Sequence, residues 1–339
     1  MKKRRVLALV HAHLVPPDDA TGIDVLEAEW KMEYDVIETL REIGHEVRVL
    51  GTHDNLSAIR TTVEEFKPQI VFNLMEAFAD VTTFDQNVVS YLELLRLPYT
   101  GCNPRGLILA RDKALSKKLL AYHRIPVPDF TVVRPGRKPQ LSKKLQFPLI
   151  VKSLFFEASA GISQASVVEN AEQLAKRVHF IHENLGTAAI VERFIDGREL
   201  YVGVIGNQRL EALPVWEMSF DKMPDNRWRI ATERVKWSTQ YQKRHGIMTD
   251  KAVLEAGLAD RIQRIARRAY RALDLNGYAR IDFRLDEEGR PQVLEANPNP
   301  NLAYGEDFAE SAEVYGLTYE RLLDRILTLG LRWEPERTG

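Results

Sequence analysis

Three oxygen-bearing side chains and an arginine recur at strand spacing in the segment Tyr278-Ala-Arg-Ile-Asp-Phe-Arg-Leu-Asp-Glu-Glu-Gly-Arg-Pro-Gln-Val-Leu-Glu-Ala-Asn297. Residues 280–285 alternate polar and apolar, residues 292–297 read as a second short strand, and Asp286-Glu-Glu-Gly289 supplies the turn between them. Side chains two apart on a strand share a face. Arg280 and Asp282 therefore point one way on the first strand, and Glu295 and Asn297 point one way on the second. Paired antiparallel, the strands bring two carboxylates, an amide and a guanidinium together. Hard oxygen ligands of this kind suit a Mg²⁺ ion that keeps waters and holds phosphate oxygens. The same residues would also suit a solvated surface hairpin, so the rest of the chain has to decide.

Lysines stand where a phosphate cradle would need them. Lys113 falls early in a helix, and Lys152 ends the apolar strand Pro148-Leu-Ile-Val-Lys152. A lysine in such a strand is costly to bury without an anion, which can be a neighbouring carboxylate or a phosphate. Ser159, Ala160 and Gly161, within Glu157-Ala-Ser-Ala-Gly-Ile-Ser163, lack bulk. Their backbone N–H groups could approach phosphate oxygens closely, although a plain flexible hairpin tip has the same composition. Glu192 lies on a strand at 189–194 and Glu199 follows the turn at Asp196-Gly197. These positions suit a purine clamp or ordinary exposed strand carboxylates. Neither a Walker A pattern nor Gly-x-Gly-x-x-Gly occurs, so neither familiar glycine-loop nucleotide fold is supported.

The elements that must position these groups follow from periodicity. A buried strand at 6–10, a helix at 25–43, a strand at 46–50, a helix at 56–66 and a strand at 70–74 make a βαβαβ order. That order implies an open parallel sheet, with ligands beyond the carboxyl ends of its strands. His11, His13, Asn73 and Glu76 fall there. Further helices are expected at 107–123, 171–183, 254–273 and 318–329, with strands at 149–153, 189–194 and 200–205. A polar loop is expected through 221–237. The fold class is α/β, α+β in part, in three domains: 1–105 as an open parallel sheet for substrate, 106–198 as a central lid domain, and 199–339 as a catalytic, metal-holding domain.

Composition excludes several classes. A net charge of −1 over 339 residues argues against bulk nucleic-acid binding. Arg261, Arg264, Arg267, Arg268 and Arg271 lie opposite the apolar stripe of the 254–273 helix and read as a solvated face. A single cysteine, Cys102, excludes an internal disulfide and a cysteine-built zinc site. No stretch of about 18 apolar residues occurs, so no membrane span is expected. The apolar run after the basic start is too short for a signal segment, and a cytoplasmic protein is expected.

Taken in order, Arg111-Asp-Lys113, Pro148-Leu-Ile-Val-Lys152, Val191-Glu-Arg-Phe-Ile-Asp-Gly-Arg-Glu199 and Ala279-Arg-Ile-Asp-Phe…Leu-Glu-Ala-Asn297 resemble the ATP-grasp fold, and within it the D-alanine–D-alanine ligase-like family. The resemblance covers roughly residues 95–300 and is general only before that. It implies ATP and two Mg²⁺ ions, with Mn²⁺ able to substitute. Lys113 and Lys152 would contact ATP phosphates, and the loop at 157–163, with Ser159 and Gly161, would close over them. Glu192 would accept from the adenine amino group, beside Phe194 and Ile195, and Glu199 would bind ribose. Lys236 would reach the γ-phosphate. Asp282, Glu295 and Asn297 would hold the metal ions, and Arg280 would stabilise the oxyanion of a tetrahedral intermediate. The implied reaction joins a small-molecule carboxylate to an amine through an acyl phosphate, in a homodimer.

The chain departs from the family where the family grips its first D-alanine. His11-Ala-His-Leu-Val-Pro-Pro17 replaces a Gly-Gly-x-Ser-x-Glu segment. Asn73-Leu-Met-Glu-Ala-Phe-Ala-Asp80 replaces a His-Gly…Gly-Glu-Asp-Gly stretch, and Asn297-Pro-Asn-Pro-Asn301 replaces Asn-Thr-x-Pro-Gly. The lid loop is one residue shorter. The expectation is a ligase for another amino-acid-like pair, with His11, His13, Asn73, Glu76, Asn299 and Asn301 as substrate contacts. Genuine D-alanine–D-alanine ligation is the alternative, and a non-catalytic ATP-binding regulator is the alternative of another class. A His-x-His after a first strand also occurs in metal-dependent amidohydrolases. That reading needs further His and Asp at later strand ends of a barrel, a pattern not found in the sequence.

Overall fold

The structure, a computed structural model, describes residues 2–156, 159 and 161–334, with only the backbone of Trp237 and Thr239. Glu157, Ala158 and Ala160 of the expected lid loop lie outside the described residues. The first segment holds β1 (Arg5–His11), α1 (Lys31–Glu42), β2 (Glu46–Thr52), α2 (Leu56–Phe66), β3 (Ile70–Asn73) and α3 (Asp85–Leu94). The three strands form the expected parallel sheet in the order β2-β1-β3. The chain leaves β1 to one side and then returns to the other, so a crevice opens beyond the carboxyl ends of β1 and β3.

α1 begins later than the 25–43 reading. Asp24 accepts from the Leu26 N–H and closes a separate 3₁₀ turn at Val25–Glu27, after which Ala28 is extended. The helix therefore buries Val36, Ile37 and Leu40, and with them Glu33.

The single helix expected at 107–123 is two, α4 (Pro104–Arg111) and α5 (Lys113–Tyr122). Asp112 is extended between them, and its carboxylate accepts from the Ala114 and Leu115 N–H groups. An Asp at this position satisfies two donors that a helix start leaves free, so the chain restarts there.

A second sheet, antiparallel in the order β4-β7-β5-β6, contains β4 (Phe130–Val133), β5 (Leu149–Ser153), β6 (Val167–Val168) and β7 (Ala189–Arg193), with α6 (Ala171–Leu185) across one face. The third sheet is built from β8 (Arg198–Ile205), β9 (Glu211–Ala212), β10 (Trp216–Phe220), β11 (Ile247–Lys251), β12 (Tyr278–Leu285) and β13 (Pro291–Pro298). The expected loop at 221–237 ends in a short helix, α7 (Glu233–Trp237), followed by α8 (Thr239–His245). α9 (Leu258–Ala272) packs Ile262, Ile265, Ala266, Ala269 and Tyr270 under the sheet, opposite its arginines. α10 (Asp307–Tyr315) and α11 (Tyr319–Gly330) follow. They do not serve the third sheet alone. Leu322, Leu323 and Ile326 share a core with Val6, Val10, Ile70 and Phe72 of the first sheet.

Candidate functional site

The β12–β13 hairpin places the oxygen ligands opposite one another. Asp282 is in register with Glu295, and Arg280 with Asn297. A β-bulge at Leu294 makes this possible, because Phe283 pairs with Val293 directly after the Asp282–Glu295 pair. Val293 faces the core. In a regular strand Glu295 and Asn297 would share its face. The extra residue turns them to the other side, as bulges beside functional sites commonly do. The Leu294 carbonyl, freed from the ladder, accepts from the Lys117 ammonium.

Asp282 is held on both oxygens. Arg280 donates from Nε to Oδ1 at 2.8 Å and from Nη2 to Oδ2 at 3.0 Å, and Asn297 Nδ2 donates to Oδ2 at 2.9 Å. The Arg280 guanidinium lies 4.6 Å from the Tyr201 ring centroid and 3.9 Å from Asp307 Oδ2. Burial, with Glu295 opposite, pushes the Asp282 carboxyl above its usual range despite Arg280. Glu295 behaves oppositely. Burial opposes its charge, but Lys113, Lys152, Lys236 and Lys117 together hold its carboxyl down at about 2. Two carboxylates in direct register repel. With an amide oxygen beside them they form the hard donor set that a magnesium ion requires, so the residues fit that ion.

The lysines converge from three elements. Lys113, at the start of α5, donates to the Phe156 carbonyl at 2.7 Å and lies 3.7 Å from Glu295 Oε2. Lys152 on β5 lies 3.3 Å from Glu192 Oε2, and Lys117 on α5 lies 3.2 Å from Glu192 Oε1. Glu192 is thus the carboxylate partner of the buried strand lysine. Burial works against its charge, but the two ammoniums outweigh that and lower its pKa. Burial lowers the Lys117 pKa, and Lys152 adds to that effect. Lys117 was not anticipated, because a lysine four residues after Lys113 on a helix reads as an exposed face.

Arg284 was also missed, although its spacing from Arg280 and Asp282 placed it on their face. It is buried and donates to Glu199 Oε2 at 2.7 Å and to the Gly197 carbonyl at 2.8 Å, with its guanidinium 5.9 Å from the Phe194 ring centroid. Tyr201 donates to the other Glu199 oxygen at 2.9 Å. Ile195 and Phe194 are buried beside them. Of the lid, Ser159 Oγ donates to the Ala231 carbonyl at 2.7 Å, and Gly161 N–H donates to Glu233 Oε2 at 3.1 Å. Gln164 and Trp228 exchange reciprocal bonds of 3.0 and 2.8 Å. The loop is therefore seated against the segment that leads to Lys236.

The strand ends of the first sheet carry a second group. His11 and His13 approach at Nδ1···Nδ1 2.6 Å, and His53, following β2, lies 3.0 Å from Asp80. The sequence reading found no further His or Asp for His11. The topology supplies both, from a parallel sheet and not a barrel. Burial, then His13 and His53, lowers the His11 pKa. Asn73 is buried, with its N–H bonded to Thr100 Oγ1 and its Oδ1 accepting from Met75 N–H. Glu76 is exposed. Asn299 and Asn301, expected at substrate, each hold backbone through Oδ1. Asn299 Oδ1 accepts from Cys102 N–H, and Asn301 Oδ1 accepts from Ala303 N–H, each at 2.8 Å. A further acid was unforeseen. Glu33 is 1% exposed, neither of its oxygens has a hydrogen-bond partner, and burial, with Glu76 nearby, raises its carboxyl to about 7.

Residues 119–328 match the family described as the D-ala D-ala ligase C-terminus. A D-alanine–D-alanine ligase of Desulfotalea psychrophila is 31% identical over 258 residues, 75% of this chain and 77% of that protein. An uncharacterized protein, y4sG, of Sinorhizobium fredii is 32% identical over 305 residues, 88% of this chain and 86% of its own. Among solved structures, the Bacillus anthracis D-alanine–D-alanine ligase complexed with ATP superposes with a TM-score of 0.74 at 21% identity, covering 97% of this chain and 98% of that one.

Proposed function

The chain belongs to the D-alanine–D-alanine ligase family of ATP-grasp enzymes, ATP-dependent ligases that form a C–N bond, and from that premise we propose that it joins an amino-acid-like carboxylate to an amine through an acyl phosphate. One observation carries the reading. A metal-type oxygen set in register on a bulged hairpin stands among four lysines and beside an arginine. A carboxylate is a poor acyl donor at neutral pH. Transfer of the γ-phosphoryl group to its oxygen, with ADP leaving, makes it a good one. The amine nitrogen then attacks the carbonyl carbon, and phosphate departs as the amide forms and a proton is lost.

In this proposal Lys113, Lys152 and Lys236 bind the phosphate chain, with Ser159 and Gly161 of the lid loop closing over it. The adenine lies against Phe194 and Ile195 near Glu192, and the ribose at Glu199, which Arg284 and Tyr201 hold in place. Asp282, Glu295 and Asn297 would hold Mg²⁺, which when bound neutralises charge where two anions meet. Arg280, oriented by Asp282, stabilises the oxyanion formed when the amine attacks. The seated lid keeps water from the acyl phosphate. The altered strand ends around His11 favour a substrate pair other than two D-alanines. The family's named D-alanine ligases favour a second reading, D-alanine–D-alanine ligation itself. A cytoplasmic homodimer is part of the same proposal, with light scattering as its check. No helix among the described residues is long and apolar enough to cross a membrane.

The deciding experiment measures Mg²⁺-dependent ADP release with D-alanine alone and with a panel of paired amino acids, with products identified by mass. Release only with another pair is expected. A dipeptide from D-alanine alone would establish the second reading. Silence across the panel, with ATP still bound, would overturn both.

A further inference from the structure

We propose that the carboxyl ends of the first sheet form a site for a divalent transition-metal ion of the zinc class, with His11 Nε2, His53 Nε2 and an Asp80 carboxylate oxygen as ligands. These residues come from the ends of β1 and β2 and from the loop after β3, and one ligand atom from each lies within 4.8 Å of the others. His53 Nε2 is 3.0 Å from Asp80 Oδ2, and His11 Nε2 is 3.8 Å from Asp80 Oδ1. Two ligands at about 2.0–2.1 Å from a tetrahedral zinc ion lie about 3.4 Å apart. The two separations to Asp80, one at each of its oxygens, lie on either side of that value.

A second observation points to a ligand independently. His11 is 5% exposed, and its Nε2 is buried without a hydrogen-bond partner. A buried polar atom in this state calls for a ligand, and it is aimed at Asp80. The outer partners are also those of a metal site. With an ion on His11 Nε2, the proton sits on Nδ1, which faces His13 Nδ1 at 2.6 Å. His53 Nδ1 faces Asp54 Oδ2 at 3.6 Å while its Nε2 faces Asp80. Ligating histidines are oriented through their second nitrogen in this way. Ala79 and Asp80 both take left-handed backbone, at φ 52° and 59°, and the Ala79 N–H bonds the His53 carbonyl at 2.8 Å. The loop is thereby tied to the residue that shares the ion.

Two imidazoles and one carboxylate favour zinc, nickel or copper over magnesium, and three protein ligands leave a fourth position for water. The site is distinct from the oxygen-only set on the β12–β13 hairpin. Full-length protein stripped with a chelator would be titrated with Zn²⁺ against a chromophoric competitor, in excess Mg²⁺, and with Co²⁺ followed by its visible spectrum. One zinc per chain and an intense tetrahedral cobalt band are expected. His53→Ala and Asp80→Asn, both at accessible positions, are expected to weaken zinc by at least about 100-fold, and His13→Ala by about 10-fold. Zinc bound by His53→Ala and Asp80→Asn as tightly as by the parent chain would overturn the site. So would binding that those variants keep and Asp282→Asn loses, and so would no binding by the parent chain.

Discussion

Arg280 occupies two roles at the scale of one side chain. It neutralises Asp282 in the protein as it stands, and in the proposed reaction it faces the developing oxyanion. Arg280→Ala is expected to lower kcat by ~10²–10³, the size typical for loss of an oxyanion donor. Near-normal turnover would remove it from the mechanism. Glu33 makes a prediction in stability. Its folded pKa, about 7, lies above the ordinary 4.5. Such a carboxyl contributes fully below about pH 4.5, and its contribution is lost as pH rises through the folded value, by roughly 3 kcal/mol. Urea unfolding of Glu33→Gln should therefore gain on the parent chain between about pH 5 and 8. Parallel pH–stability curves for the two would refute the assignment. Legibility at this scale followed local spacing. Arg280, Asp282, Glu295 and Asn297 were readable because strand period fixes which side chains share a face. Lys117, Glu33, His53 and Asp80 were not, because the groups that surround them come from distant elements: β7, the loop after β3, and the ends of separate strands.

One extra residue lets the hairpin keep both its core face and its metal-type cluster. Deleting Leu294 would close the ladder with Glu295 still opposite Asp282 and Asn297 opposite Arg280, and would remove only the carbonyl that accepts from Lys117. Such a variant should keep Mg²⁺-dependent ATP binding by calorimetry, and lost binding would show that the bulge itself, and not the register alone, sets the site. The Asp112 cap acts similarly on Lys113. Asp112→Ala should cost about 1 kcal/mol in chemical denaturation, the usual value for a lost N-cap, and should weaken ATP. An unchanged midpoint would count against the cap. Strands β5 and β12 and helix α2 were legible because each carries a regular pattern between clear stops. The break at Asp112, the late start of α1 and the Leu294 bulge were not, since each rests on one side chain or one residue overriding an otherwise continuous pattern.

Among the described residues three sheets organise the molecule, and strands of each were legible from the alternation of periods. The sharing of cores between them was not, because apolar periodicity says which face is buried and never against what. α11 shows this plainly, since Leu322, Leu323 and Ile326 lie against Val6, Val10, Ile70 and Phe72. A chain stopped at residue 316 should lose amide protection in β1 and β3 by hydrogen exchange, and full protection there would refute the shared core. The same arrangement bears on how the protein is made. Synthesis is vectorial, so β1 emerges from the ribosome well before α11, part of its cover. Until α11 emerges, Val6, Val10, Ile70 and Phe72 have Val36 and Leu40 of α1 against them but lack Leu322, Leu323 and Ile326. The nascent chain thus exposes apolar surface that a holding chaperone would cover, and the closing of this shared core is a late event in the life of the molecule.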